Sequence, residues 1–201
     1  ELETVPSSQF KTVVDACTLC DMCFMTKCPY VPPHEFNIDF PHLMLRARAV
    51  EAKHKGIGFV KNQLTQIDRN GLIGKWLSSI TNWISNRKNK LTRPLLEKIL
   101  DIHRDAVLPK FSSKTFLDHS KEVIKLNEKA PGFGRKALLF STCFTNYNNP
   151  EIGLSARKVL AKNGVETEVI YPRCCGMPQL EQGNIAAVAK TAEIVSADLR
   201  S

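Results

Sequence analysis

The sequence predicts an α+β protein: a helical, cysteine-bearing N-terminal part (1–55), a basic helical middle (56–130) and a parallel β-α-β-α unit (131–201). Three observations carry that reading. Four cysteines fall between Cys17 and Cys28, closed by Pro29. Apolar residues in the middle recur at three and four, the period of a helix with one buried face. Beyond the turn-rich Ala130-Pro-Gly-Phe-Gly134, two short apolar runs alternate with helical patterns, as parallel strands joined by crossovers do.

Bulk properties bound the class. A chain of 201 residues, 43% hydrophobic and 24% charged, suits one or two globular domains with enough apolar content for a core. Glu1 to Phe10 has neither a basic start nor an apolar run, and nowhere do eighteen apolar residues run together. The expected location is therefore cytoplasmic, or peripheral at the inner face of a membrane. Seven cysteines are an odd number, and a reducing compartment disfavours disulfides, so metal ligation is the better use for them.

The N-terminal part is organised by Cys17-Thr-Leu-Cys20-Asp-Met-Cys23-Phe-Met-Thr-Lys-Cys28-Pro29. Three cysteines, each two residues from the next, let one tight loop wrap three corners of a cubane. The proline pushes Cys28 into an extended conformation that sends its thiolate elsewhere. In the two-cluster ferredoxin pattern that fourth cysteine serves another cluster, so Cys17, Cys20 and Cys23 are assigned to one [4Fe–4S] cluster and Cys28 to a second. The usual gap before Cys-Pro is three residues and here it is four, which leaves the path into Cys28 open. Structural zinc would pair one C-x-x-C with a second pair a dozen or more residues on, and none follows at that distance. Four thiols acting only as small buried hydrophobes is the other alternative.

After Tyr30-Val-Pro-Pro33, which must run extended, Pro41 suits a helix start, and Gly56 and Gly58 end that helix near Lys55. Leu72, Ile73, Trp76, Leu77, Ile80, Trp83 and Ile84 read as one amphipathic helix. Leu95, Leu96, Ile99, Leu100, Ile102 and His103 read as another, starting near Thr92. A core stripe is the commoner meaning of such spacing, and the stripe at Trp76, Ile80 and Trp83 is assigned to core before a partner or membrane face. The five histidines show no metal spacing among themselves.

Charge is uneven: between Arg46 and Lys136 there are twenty Lys and Arg against eight Asp and Glu, within a net charge of +8. No helix-turn-helix, zinc-finger or RNP signature accompanies the surplus, so no nucleic acid is expected. The basic middle is expected to dock onto a partner subunit or onto the rest of the same polypeptide, which would cover any part of the stripe at Trp76, Ile80 and Trp83 that is not core; a solvated face or an anionic membrane surface are the alternatives.

In the C-terminal unit, Lys136 to Thr142 reads as a short buried strand ending at Cys143. A helix follows over 150–163, with Asn149 as cap and Gly164 as terminator. Val165 to Tyr171 reads as a second strand, and Pro172-Arg-Cys174-Cys175-Gly176 turns into a last helix that takes the rest of the chain. Parallel pairing puts Cys143 and the Cys174-Cys175 pair at the carboxyl ends of neighbouring strands, where open α/β sheets build their sites.

Cys143 and Cys174-Cys175-Gly176 resemble the first part of the CCG cysteine-rich domain of heterodisulfide reductase-related proteins. Cys-Asp-Met-Cys23 and Cys28-Pro-Tyr-Val-Pro-Pro-His34 strengthen the likeness. The same combination of ferredoxin-type motifs and CCG domains marks iron–sulfur subunits of anaerobic glycerol-3-phosphate dehydrogenase and of lactate and glycolate oxidases. Family members are longer. A first ferredoxin motif before Glu1 and a closing C-x-x-C after Cys175 would be expected, so the chain is expected to be a piece of a larger polypeptide. The resemblance implies a second iron–sulfur centre or zinc at Cys143, Cys174 and Cys175.

What the resemblance implies about function is an iron–sulfur electron-transfer subunit of an oxidoreductase complex. It would pass electrons between a flavoprotein dehydrogenase or other redox subunit and a quinone, a disulfide or another carrier. The alternative is a non-catalytic metal-binding or redox-sensing module working through Cys174 and Cys175. No residue set resembles a nucleophile with its base, a phosphate-binding glycine loop or a dinucleotide fingerprint, so no catalytic residue is assigned.

Overall fold

In the computed structural model, residues 4–26 and 28–200 are described. The chain runs α1 (Ser7–Ala16), α2 (Met22–Met25), α3 (Phe40–Lys55), α4 (Phe59–Leu64), α5 (Ile67–Trp76), α6 (Ser78–Ile84), α7 (Thr92–Leu100) and α8 (Phe116–His119). It continues with β1 (Lys136–Phe140), α9 (Cys143–Tyr147), α10 (Pro150–Lys162), β2 (Glu166–Ile170), α11 (Met177–Glu181) and α12 (Ile185–Arg200). The class is α+β, and no strand lies among the described residues of the middle segment. The chain divides into two compact units, 1–65 with 176–192 and 66–175 with 193–201.

In the first unit α3 begins where expected. Asp39 caps it by accepting from the His42 N–H at 3.1 Å, a proline occupies its first turn, and Gly56 ends it at φ 72. Val14 of α1 and Met44 of α3 are buried there. Gly183, at φ 73, lets α11 approach α3 closely, because a Cβ at that position would lie 2.5 Å from the Arg48 backbone. That left-handed glycine also breaks the single C-terminal helix expected from the sequence into α11 and α12.

The second unit is built on two strands that pair in parallel, Lys136 opposite Glu166 through Phe140 opposite Ile170. Glu166 N–H to Arg135 O and Ser141 N–H to Ile170 O, both 2.9 Å, extend the ladder at each end. α10 packs against β2, where Arg157 Nε donates to Thr167 Oγ1 at 3.2 Å. Phe116 of α8 fills the space beside Gly153 of α10, where a Cβ would stand 2.5 Å from its ring. β1 is not the buried strand expected: Lys136, Leu138 and Phe140 are exposed and alternate with half-buried Ala137 and Leu139. Asn149 sits at the N-cap of α10 but its side chain makes no capping bond.

The helix expected to run from Leu95 through His103 ends at Leu100, because Asp101 turns left-handed at φ 57, and two further expectations for the middle are corrected. The helix read over 72–84 is two helices, with Leu77 leaving helical geometry at φ −108, ψ 31. The apolar stripe is not core: Trp76 is 82% exposed and Trp83 59%, with Leu72, Ile73, Leu77 and Ile80 also exposed. What α5 buries instead is its small and polar side, Gly71 and Gly74, because the Tyr147 and Phe111 rings lie directly against those glycines. Periodicity located the helix and misidentified its inner face.

Candidate metal centre

The N-terminal cysteines follow α1. Cys17 is its C-cap in an extended conformation, and Arg48 of α3 fixes that junction. The Arg48 guanidinium donates to Val14 O at 2.6 Å, to Glu181 O at 3.1 Å and to Cys17 O. Beyond it, Leu19 at φ 51 and Asp21 at φ 58 take left-handed conformations, which cost non-glycine residues about 1 kcal/mol or more each. The gain is a loop tight enough for the Leu19 N–H to donate to Cys17 Sγ at 3.4 Å. Asp21 then starts α2, which carries Cys23.

The Cys20 thiol is held below its ordinary range by the Thr18 hydroxyl, with help from the Met22 backbone. Donors of this kind stabilise thiolate over thiol and tune thiolate-bound iron. Cys20 and Cys23 are exposed, Cys17 and Cys28 half-buried, and all seven cysteines are free thiols. The donor set fits a soft metal or an iron–sulfur cluster: closely spaced thiols with N–H and O–H donors to sulfur. Among the described residues, no three His, Cys, Asp or Glu side chains are gathered tightly enough to hold an ion.

The second unit brings its cysteines closer. Cys143 opens α9 directly after β1, and Thr142 caps that helix by accepting from the Thr145 N–H at 3.2 Å. Cys174 follows β2. The parallel crossover puts the two thiols in hydrogen-bond contact, and that bond, against the opposing effect of burial, lowers Cys143 to about 7. Cys174 is buried and Cys175 exposed.

Asp68, in the first turn of α5, was not legible in the sequence as part of this site. Its Oδ1 accepts from the Tyr171 hydroxyl at 2.5 Å, and both its oxygens lie 3.1 Å from the Cys174 N–H. Burial, then the Asp68 hydrogen bond, pushes the Tyr171 hydroxyl far above its ordinary range, so it stays a donor. The Tyr147 ring packs edge-on against Tyr171, centroids 5.6 Å apart, and burial followed by the nearby Asp68 charge raises its hydroxyl too. A cleft of about 500 Å³ opens beside this network, lined by Asp68, Leu72, Tyr147, Tyr171 and Pro172 among others. Asp68 lies 106 residues from Cys174, and an aspartate in a first helical turn reads only as ordinary helix chemistry. Gly176, at φ 91, completes the turn after the cysteine pair in a conformation that favours glycine.

Residues 137–199 match the cysteine-rich domain family CCG. The chain carries a CCG cysteine-rich domain. It is 29% identical over 121 residues to the C subunit of anaerobic glycerol-3-phosphate dehydrogenase from Escherichia coli K12. The O157:H7 counterpart gives the same figure. That match covers 60% of this chain and 29% of the relative. No solved structure matches the chain. Cys143, Cys174, Cys175 and Gly176 fall inside the CCG segment, whereas Asp68 comes from outside it.

Proposed function

We propose that the chain is an electron-transfer subunit, or part of one, in an oxidoreductase complex. The observation that carries this reading is the contact between the Cys143 and Cys174 thiols at the strand ends of a CCG domain, in a chain that also bears a C-x-x-C-x-x-C loop. Likeness to a dehydrogenase subunit supports it. Cys17, Cys20 and Cys23 are the ligands of a [4Fe–4S] cluster, and Cys28 serves a second. Cys143, Cys174 and Cys175 hold a further iron–sulfur centre or zinc.

Such a cluster, when bound, supplies one-electron transfer at a potential set by its surroundings. The chain's own residues hold the sulfurs and aim N–H donors at them, as Leu19 does toward Cys17. Asp68 fixes the backbone at Cys174. Electrons would pass between a flavoprotein dehydrogenase partner and a quinone, a disulfide or another carrier, with substrate chemistry in the partner. The subunit would work from the cytoplasmic side, peripheral to the membrane. Among the described residues no helix is long and apolar enough to cross one.

Anaerobic purification with iron, sulfide and EPR analysis tests the reading. Iron and acid-labile sulfide in comparable amounts, a thiolate-to-iron absorption in the visible, and loss of both in Cys17→Ser, Cys20→Ser or Cys23→Ser are expected. Stoichiometric zinc without sulfide at the N-terminal loop would overturn it.

The second reading is a redox-sensing module. It draws on the Cys143–Cys174 contact rather than on the adjacent pair: two thiols would give up two protons and two electrons to a disulfide-class oxidant to form one S–S bond. Mass spectrometry of the apo chain after exposure to oxidised glutathione would detect that bond.

A further inference from the structure

We propose that the exposed face of α5 and α6 docks onto an anionic lipid bilayer. The proposal deepens the peripheral placement above and rests on that part of it, not on the clusters. Arg69, Leu72, Ile73 and Trp76 stand at i, i+3, i+4 and i+7, one stripe of α5 opposite buried Gly71 and Gly74. Leu77, between the two helices, and Ile80 and Trp83, three apart on α6, are exposed as well. Interfacial helices have this composition: large aliphatic residues and tryptophan on the face that enters the headgroup boundary, with basic residues beside it.

Charge selects the occupant. From Arg69 to Leu96 the sequence has no Asp or Glu, although twenty spread over 201 residues would place about three in such a stretch. Of the six basic residues there, Lys75 is paired with Asp118 at 2.6 Å and Arg93 is buried against backbone carbonyls, while Arg87, Lys88 and Lys90 are exposed, as is Arg69, whose guanidinium donates to Asn70 Oδ1. Protein interfaces deplete lysine, whereas an anionic bilayer attracts it and tolerates any spacing of it. Tryptophans flanked by cations with no carboxylate between them are complementary to phosphate headgroups over acyl chains. The described helices are too short or too polar to cross, so the face lies on the surface and not through it.

The chain's two tryptophans are Trp76 and Trp83, so fluorescence excited selectively at tryptophan reports on this face alone. The chain, with and without reconstituted iron, is mixed with vesicles of phosphatidylcholine or of phosphatidylcholine with about a third phosphatidylglycerol, then floated on a density gradient. Flotation with the anionic vesicles, a blue-shifted emission protected from acrylamide, and release at about 0.5 M salt are expected. Each basic residue near the surface is worth about fivefold in partitioning, so Arg87→Gln/Lys88→Gln/Lys90→Gln should bind about a hundredfold more weakly. Trp76→Ala/Trp83→Ala should float poorly while its circular dichroism is unchanged.

No flotation, equal flotation with neutral vesicles, or a concentration-dependent blue shift without lipid would overturn the proposal, the last by showing that a second copy covers the face. Flotation of a chain that takes up no iron would retain this proposal and sink only the electron-transfer reading.

Discussion

Asp68 joins three groups that are far apart in the chain: a helix start, the Tyr171 hydroxyl and the Cys174 N–H. Hydrogen bonds to a charged acceptor are worth more than neutral ones, and removing the acceptor leaves a partly buried N–H unpaired. Asp68→Ala should lower the urea-unfolding free energy by about 1–3 kcal/mol. It should also raise Cys143 reactivity toward bulky alkylating agents, because the turn holding Cys174 loosens. Unchanged stability would mean that water replaces the carboxylate at no cost. Cys143 itself should alkylate with a pH midpoint near 7, and Cys174→Ala should move that midpoint up toward an ordinary thiol. The sign for stability follows: an acid whose folded value is depressed stabilises the fold above its unfolded value, and the contribution is lost as pH falls through about 7.

At the scale of elements, α5 is the piece whose inner face is made of glycine. Gly71 and Gly74 are buried because aromatic rings lie where a Cβ would go, 2.5 Å from Tyr147 and 2.3 Å from Phe111. Gly71→Ala gains helix propensity but must displace the Tyr147 ring, which packs on Tyr171, so the net effect should be a loss of about 1–3 kcal/mol, read by thermal or urea unfolding. Equal or higher stability would mean that the ring rotates away freely.

Lys75 on the same helix pairs with Asp118, which caps α8 reciprocally with Thr115. Burial would raise the Asp118 carboxyl, but the Lys75 and Thr115 hydrogen bonds outweigh it and hold it at about 2. That support is complete above the ordinary carboxylate range and is lost as pH falls toward 2, so Lys75→Met should flatten the acid limb of the stability profile.

For the whole molecule, the described core is small. Val14, Met44, Phe116, Tyr147, Ala161 and Cys174 are its buried hydrophobic members, while many large apolar residues remain exposed. A chain so sparsely packed should gain markedly from any ligand that binds only its folded state. Anaerobic loading with iron and sulfide should therefore raise the thermal midpoint, and Cys17→Ser should reduce that gain. An unchanged midpoint on stoichiometric loading would mean that the cysteine loops bind metal equally well unfolded.

Local chemistry made much of this legible before any coordinates. The start of α3 near Pro41, its end at Gly56, the two parallel strands and the chain reversal at Gly164 all follow from signals within a few residues of where they act. The cysteine spacings belong to the same class, since a motif is local by definition, and the meeting of Cys143 with Cys174 needed only the rule for parallel crossovers. Burial was different. Whether Trp76 faces inward depends on what else packs against α5, and the rings of Tyr147 and Phe111 claimed the opposite side. The Asp68 bond to Cys174 and the Arg48 bonds around Cys17 are likewise long-range pairings, invisible to any window along the chain. Periodicity says that a helix has two faces; only the competition among all elements for a limited interior decides which of them is covered.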